Sequence, residues 1–142
     1  LQKHQVGEIS GTINFDLETE VKNQNFMRNA HKKFLLQSAH DLSEGGLILG
    51  LLEKAFQTDF GFHVETELSA VELYSETGSR FVISVANEQK EMLEHLAKEQ
   101  NVALTLLGEV TEEPTISLKA SDDELHIAKE ELESIWEEGL KC

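Results

Sequence analysis

The sequence predicts one domain that mixes helices with strands, and three observations predict it. Apolar residues recur at three- to four-residue spacing over 16–36 and again over 43–56, as they do on one face of a helix. Phe62-His63-Val64-Glu65-Thr66 and Thr115-Ile116-Ser117-Leu118-Lys119 alternate apolar with polar, as half-buried strands do. Phe81-Val82-Ile83-Ser84-Val85 is a β-branched run that reads as a well-buried strand. A chain of 142 residues is long enough for one such domain with its own core.

Residues 1–15 read as a connector, with Gly7 and Gly11 as breakers and a short edge strand around Gly11 to Phe15. Asp16 opens a helix to about Leu36, because Leu17, Val21, Met27, Ala30 and Phe34 follow helical spacing and Glu18 and Glu20 suit its first turn. Gln37 to Leu42 is a short extended passage. A second helix then runs from Ser43 or Glu44 to about Phe56, with 47, 48, 51, 52, 55 and 56 on its apolar face. After a break at Thr58 to Gly61 and the strand from Phe62, Ser69 to Tyr74 forms a short helix with Val71 and Leu73 turned partly inward. Asn87 caps a helix to about Gln100 whose inward face is Met92, Leu93, Leu96 and Ala97. Val102 to Leu107 returns as a strand that breaks at Gly108, and Phe81, Ile83, Leu104 and Leu106 are sheet-core candidates. Thr111 to Pro114 is a turn, and Thr115 to Lys119 reads as an antiparallel edge strand. A last helix spans about Ala128 to Glu138, with Leu132, Ile135, Trp136 and Leu140 on one side and a solvated face carrying Lys129, Glu130, Glu131, Glu133, Glu137 and Glu138.

Charge and composition narrow the function classes. Net charge is −15, from 27 Asp+Glu against 12 Lys+Arg. A nucleic-acid or anionic-membrane binder needs a basic face, so both are argued against. The one cysteine, Cys142, permits no intrachain disulfide and fits a reducing, cytoplasmic compartment. No apolar stretch approaches the ~20 residues of a membrane span. Because the first residue is Leu1 and not Met, the sequence is expected to begin inside a longer polypeptide or after processing. His4, His31, His40, His63, His95 and His126 are scattered, with no zinc-binding i, i+4 pair. No phosphate-loop, dinucleotide or nucleophile-elbow motif occurs.

Chemistry concentrates at Ser38-Ala39-His40-Asp41-Leu42-Ser43-Glu44-Gly45-Gly46-Leu47. A carboxylate at Asp41, a hydroxyl at Ser43 and the pair Gly45–Gly46 precede a helix, where free N–H groups and the positive dipole end favour an anion such as phosphate. Spacing alone leaves a second reading open and favours it: Ser43 is an N-cap, Glu44 sits in the first turn and the glycines relieve crowding. Asp41 with Glu44 is a weak candidate for water-mediated Mg²⁺. The loop Leu73-Tyr74-Ser75-Glu76-Thr77-Gly78-Ser79-Arg80 is a second feature, since Arg80 can clamp a phosphate or instead pair with Glu76 on the surface.

The residues at 38–47 resemble the S-A-H-D-x-S-[DE]-G-G-L segment in the last domain of the synthetic subunit of the phosphoribosylformylglycinamidine synthases. Asp16-Leu17-Glu18-Thr19-Glu20 is similar to that family's D-L-E-x-E helix opening, and Glu72-Leu73-Tyr74-Ser75-Glu76 with Arg80-Phe81-Val82-Ile83-Ser84-Val85 to its L-F-S-E-S…R-F-[LV]-V-[ST]-V. Leu107-Gly108-Glu109-Val110 resembles its [IL]-G-x-V, and Leu132 through Trp136 to Leu140 its C-terminal helix. The likeness covers about residues 12–140, in order.

This resemblance implies an α+β domain of the aminoimidazole-ribonucleotide-synthetase-like superfamily: three layers, α/β/α, a mixed sheet and partial ferredoxin-like topology, spanning 16–142. It implies a ligase of purine synthesis that uses ATP, Mg²⁺ and glutamine-derived ammonia, with ATP and Mg²⁺ held mainly by a preceding domain that nothing in 1–142 resembles. Upstream domains of the same subunit, a glutaminase subunit and a small accessory subunit are the implied partners. Asp41, Ser43, Gly45, Gly46, Glu76 and Arg80 become candidate nucleotide or phosphate contacts, with no catalytic residue and no metal ligand assigned. Because the synthetic subunit contains two copies of this domain type and this sequence resembles the second, the turn faces either a catalytic or a pseudo-symmetric cleft. Thiamine-monophosphate kinase, selenophosphate synthetase and hydrogenase-maturation relatives of the superfamily stay open as alternatives, as does a purely structural domain.

Overall fold

The computed structural model describes residues 16–121 and 123–139. Its elements run α1 (Leu17–Lys32), β1 (Ser38–Asp41), α2 (Gly46–Phe56), β2 (Gly61–Glu65), α3 (Ala70–Leu73), β3 (Phe81–Ser84), a 3₁₀ turn (Asn87–Gln89), α4 (Lys90–Glu99), β4 (Gly108–Thr111), β5 (Thr115–Lys119), β6 (Glu124–Ala128) and α5 (Lys129–Gly139). The strands form two sheets: an antiparallel ribbon β1–β3, and a mixed sheet in the order β4-β2-β5-β6 whose central pair, β2 and β5, is parallel. The class is the expected one, α+β with a mixed sheet.

Two apolar clusters hold it together. Leu47, Leu52 and Ala55 of α2 and Leu73 of α3 pack on Phe62, Val64, Ile116 and Leu118 of β2 and β5. Phe26 and Ala30 of α1 with Leu35 pack on Leu93, Leu96 and Ala97 of α4. The ribbon separates them, since Val82 joins the first cluster and its neighbour Ile83 the second, as period-2 alternation requires. Helix, strand and helix layers therefore follow one another: α1 with α4, then β1–β3, then α2, with the larger sheet closing the far side.

Helix ends follow local chemistry. The Asp16 carboxylate caps α1, accepting from Glu18 N–H at 3.0 Å and from the Thr19 hydroxyl at 2.6 Å. These bonds, that from the Thr19 hydroxyl foremost, hold the Asp16 carboxyl below its usual value. At the other end, Leu35 N–H donates to Ala30 O and Phe34 N–H to His31 O, a Schellman closure that puts Phe34 at φ 55° and ends the helix at Lys32 instead of about Leu36. Helix α4 closes the same way through Asn101 (φ 53°) and Val102.

Several expectations are corrected. Val102 to Leu107 is not a strand: the ladder on β2 starts only at Gly108, and Leu104 and Leu106 are exposed rather than in the sheet core. Phe81 to Ser84 is half-buried throughout, in a ribbon of two strands among the described residues. β5 is central rather than an edge, parallel to β2 and antiparallel to β6. The strand β6 was unforeseen, although Leu125 and Ile127 alternate with exposed neighbours. Val71, Met92 and Ile135 face outward. Lys129, assigned to the solvated face, is buried: its Nζ donates to the carbonyls of Ala55, at 3.4 Å, and Thr58, at the C-terminal end of α2. The edge strand expected at 11–15 lies outside the described residues. No helix among the described residues is long and apolar enough to cross a membrane.

Candidate functional site

The glycine turn lies where the ribbon meets α2. Asp41 pairs with Phe81 at the end of the ribbon, and Leu42 N–H donates to Arg80 O at 2.9 Å, so the turn and the loop before β3 leave the ribbon side by side. Gly45 is the N-cap of α2 at φ 75° and Gly46 its first residue at φ 64°. Ser43 is therefore not the N-cap; its carbonyl accepts from Gly46 N–H at 3.2 Å, and the helix begins later than spacing suggested. Glycine is required at 46 for a second reason. A Cβ there would stand 2.7 Å from both Leu73 O and Ser75 O, so the turn rests directly on the backbone that ends α3.

The loop from Tyr74 to Arg80 wraps this turn. Glu76 Oε1 accepts from Gly45 N–H at 3.0 Å, placing a carboxylate at the free N-terminal end of α2. Arg80 Nη1 donates to Ser75 O at 3.3 Å and the Ser75 and Thr77 hydroxyls bond at 2.7 Å, which fixes the loop's course. The structure thus brings all six sequence-selected residues into two touching segments. Asp41, Ser43 and Glu76 are exposed, Gly45 and Arg80 half-buried and Gly46 buried. What spacing could not reveal is that Glu76 answers the very amide an incoming anion would use. His40 turns away from Asp41 and pairs through Nε2 with Glu53 Oε2 of α2 at 3.0 Å.

The short helix α3 is locked from the same side. The Glu72 carboxylate accepts from Ser69 N–H at 2.9 Å and the Ser69 hydroxyl at 2.7 Å. The Ser69 N–H, then its hydroxyl, and to a lesser degree the charge on Arg80, hold the Glu72 carboxyl below its usual value. Behind the turn, Ile48, Leu73, Tyr74, Leu118 and Leu125 line a cavity of about 250 Å³ that Asp123 and Glu124 border. No group of three His, Cys, Asp or Glu side chains among the described residues is placed to hold a metal ion.

Fold and turn together define a domain class: an α+β unit in which a double-glycine turn opens a core helix and a following loop clasps it. The chain belongs to the AIR synthase related protein, C-terminal domain family, whose model matches residues 4–121. It is 39% identical over 141 residues, 99% of its length, to the phosphoribosylformylglycinamidine synthase subunit PurL of Leuconostoc mesenteroides, of which it spans 19%. Among solved structures it is similar to Thermotoga maritima PurL complexed with FGAR, with a TM-score of 0.74 and 18% identity over 83% of this chain and 21% of that one. T. maritima PurL complexed with ADP gives 0.73 and 18%, over 83% and 22%. At that identity the structures attest the fold.

Proposed function

We propose that this chain is the C-terminal domain of the synthetic subunit of a phosphoribosylformylglycinamidine synthase, supplying one wall of a ligand cleft and an interface to the rest of the subunit. The observation that carries this reading is the 39% identity to PurL over 99% of the chain. In the parent enzyme, acting in the cytoplasm, ATP phosphorylates the amide oxygen of formylglycinamide ribonucleotide, releasing ADP. Ammonia from glutamine then attacks the imidate carbon and phosphate departs, leaving the amidine. T. maritima PurL has been solved with FGAR and with ADP, which supports a nucleotide and this substrate for the parent. ATP and Mg²⁺ belong mainly to the preceding domain, and the partners are that domain, reached through residues 1–15, and the glutaminase and small accessory subunits.

Within this chain, the N–H groups at Gly45 and Gly46, the Ser43 hydroxyl and Arg80 are the donors toward a phosphate, with Asp41 and Glu76 at its border. For the turn to receive one, the Glu76 carboxylate has to swing off Gly45 N–H. One observation favours a second reading, a structural domain whose turn binds nothing: that same bond already satisfies the helix end. Binding of ADP and of formylglycinamide ribonucleotide to the parent polypeptide, wild type and Arg80→Ala, separates the two. A cleft role predicts weaker binding of one ligand by the variant, whereas unchanged affinities for both favour the structural reading.

A further inference from the structure

One surface is built in a way that neither core explains. Residues 102–107 connect α4 to β4 and are pinned at both ends. Val102 N–H donates to Ala97 O with its side chain against the second cluster, and Leu107 O accepts from Glu65 N–H at 3.1 Å with its side chain against the first. Between these anchors Leu104 and Leu106 point outward, 41% and 71% exposed, and Val110 of β4 adds a third apolar side chain at 58%. β4 ends the sheet's order, so its outer row of N–H and C=O groups has no ladder partner among the described residues. It carries no Lys or Pro, and its one charge is the exposed Glu109. An anchored edge flanked by exposed apolar side chains is what a packed segment from elsewhere requires.

We propose that this edge, Leu104, Leu106 and Val110 with the open side of β4, is where the remaining polypeptide of the parent subunit docks, through an extended apolar segment. The inference rests on the reading above that the chain is one domain of a longer subunit. The relative it matches has about four-fifths of its length outside this domain, and a segment tethered in the same chain meets the edge at an effective concentration that a separate molecule does not reach.

Labelling of a thiol at the edge tests this without any activity measurement. Leu106→Cys, on a Cys142→Ser background, is treated with a maleimide in the 142-residue chain and in the whole parent polypeptide. The side chain is largely exposed, so the substitution leaves folding intact. The expected result is labelling at the rate of an open thiol in the short chain and a slowing of about tenfold or more in the parent. Equal rates in the two overturn the proposal. Slow labelling of the short chain that speeds up on dilution overturns it in favour of a second copy as occupant. A parent that protects the thiol yet makes no amidine leaves the docking edge standing and rejects the synthase reading, so the two failures are distinct.

Discussion

Gly46 is the residue on which the site's geometry depends most. Gly46→Ala adds a Cβ at positive φ against two backbone carbonyls that cannot move independently, so the chain should lose about 2 kcal/mol or more, read as a lowered urea midpoint. Phe34 is the converse case. It holds the left-handed position of a Schellman closure with its ring 80% exposed, so Phe34→Gly removes strain and little packing and should raise stability by about 1 kcal/mol. At Lys129 the bonded groups are the carbonyls of Ala55 in α2 and of Thr58 just past its end; Ala55 O keeps the Thr58 N–H and hydroxyl, so Lys129→Met takes the donor from Thr58 O and should cost about 1 kcal/mol by the same measurement. Neither Lys129 nor the Glu76 clasp was legible in the sequence. A lysine beginning an acidic helix gives no periodic sign of burial, and the bond from Gly45 to Glu76 joins residues 31 apart through a loop whose path is set by tertiary contacts.

At the scale of elements, the Asp16 cap and the strand alternation carried well, whereas the caps read at Ser43 and Asn87 and the sheet edges did not: Gly45 caps α2, and Asn87 lies inside the 3₁₀ turn before α4. Asp16 before a helix, Ser69 before α3 and the double glycine before α2 all signal through local bonding that a sequence displays. Val102 to Leu107 failed because β-propensity reports a half-buried surface and not a ladder, and here the partner strand runs out before Gly108. β6 was missed because Glu124 to Ala128 is a five-residue alternation, too short to stand apart from the helix that follows it directly. The caps also give the domain an acid limb. The folded-state pKa values of Asp16, Glu65 and Glu72 are lowered from ordinary values of 3.8, 4.5 and 4.5. For Glu65 the cause is first the hydrogen bond from Lys119. A depressed carboxyl stabilises the fold above its unfolded pKa and loses that contribution as pH falls through the folded value. The melting temperature should therefore hold from neutrality to about pH 5 and fall below it, with a shallower fall in an Asp16→Asn, Glu72→Gln variant.

The whole molecule reads as a domain with two cores hinged on a narrow ribbon and a site at one end of that ribbon. The turn and loop meet because β1 and β3 pair, and the sequence could select both segments while leaving their contact unseen. With a net charge of −15 and Asp41, Glu44 and Glu76 around the turn, the chain alone is a poor host for a nucleotide phosphate. On the proposed reading, neutralising cations and the ATP site belong to a preceding domain. The central claim, that this is one wall of a synthase and not a catalyst by itself, is tested most directly by ATP- and ammonia-dependent formation of the amidine from formylglycinamide ribonucleotide. The measurement compares the parent polypeptide with the 142-residue chain. Turnover is expected from the parent and none from the chain; amidine formation by the chain alone, or a parent inactive on this substrate, would overturn the claim.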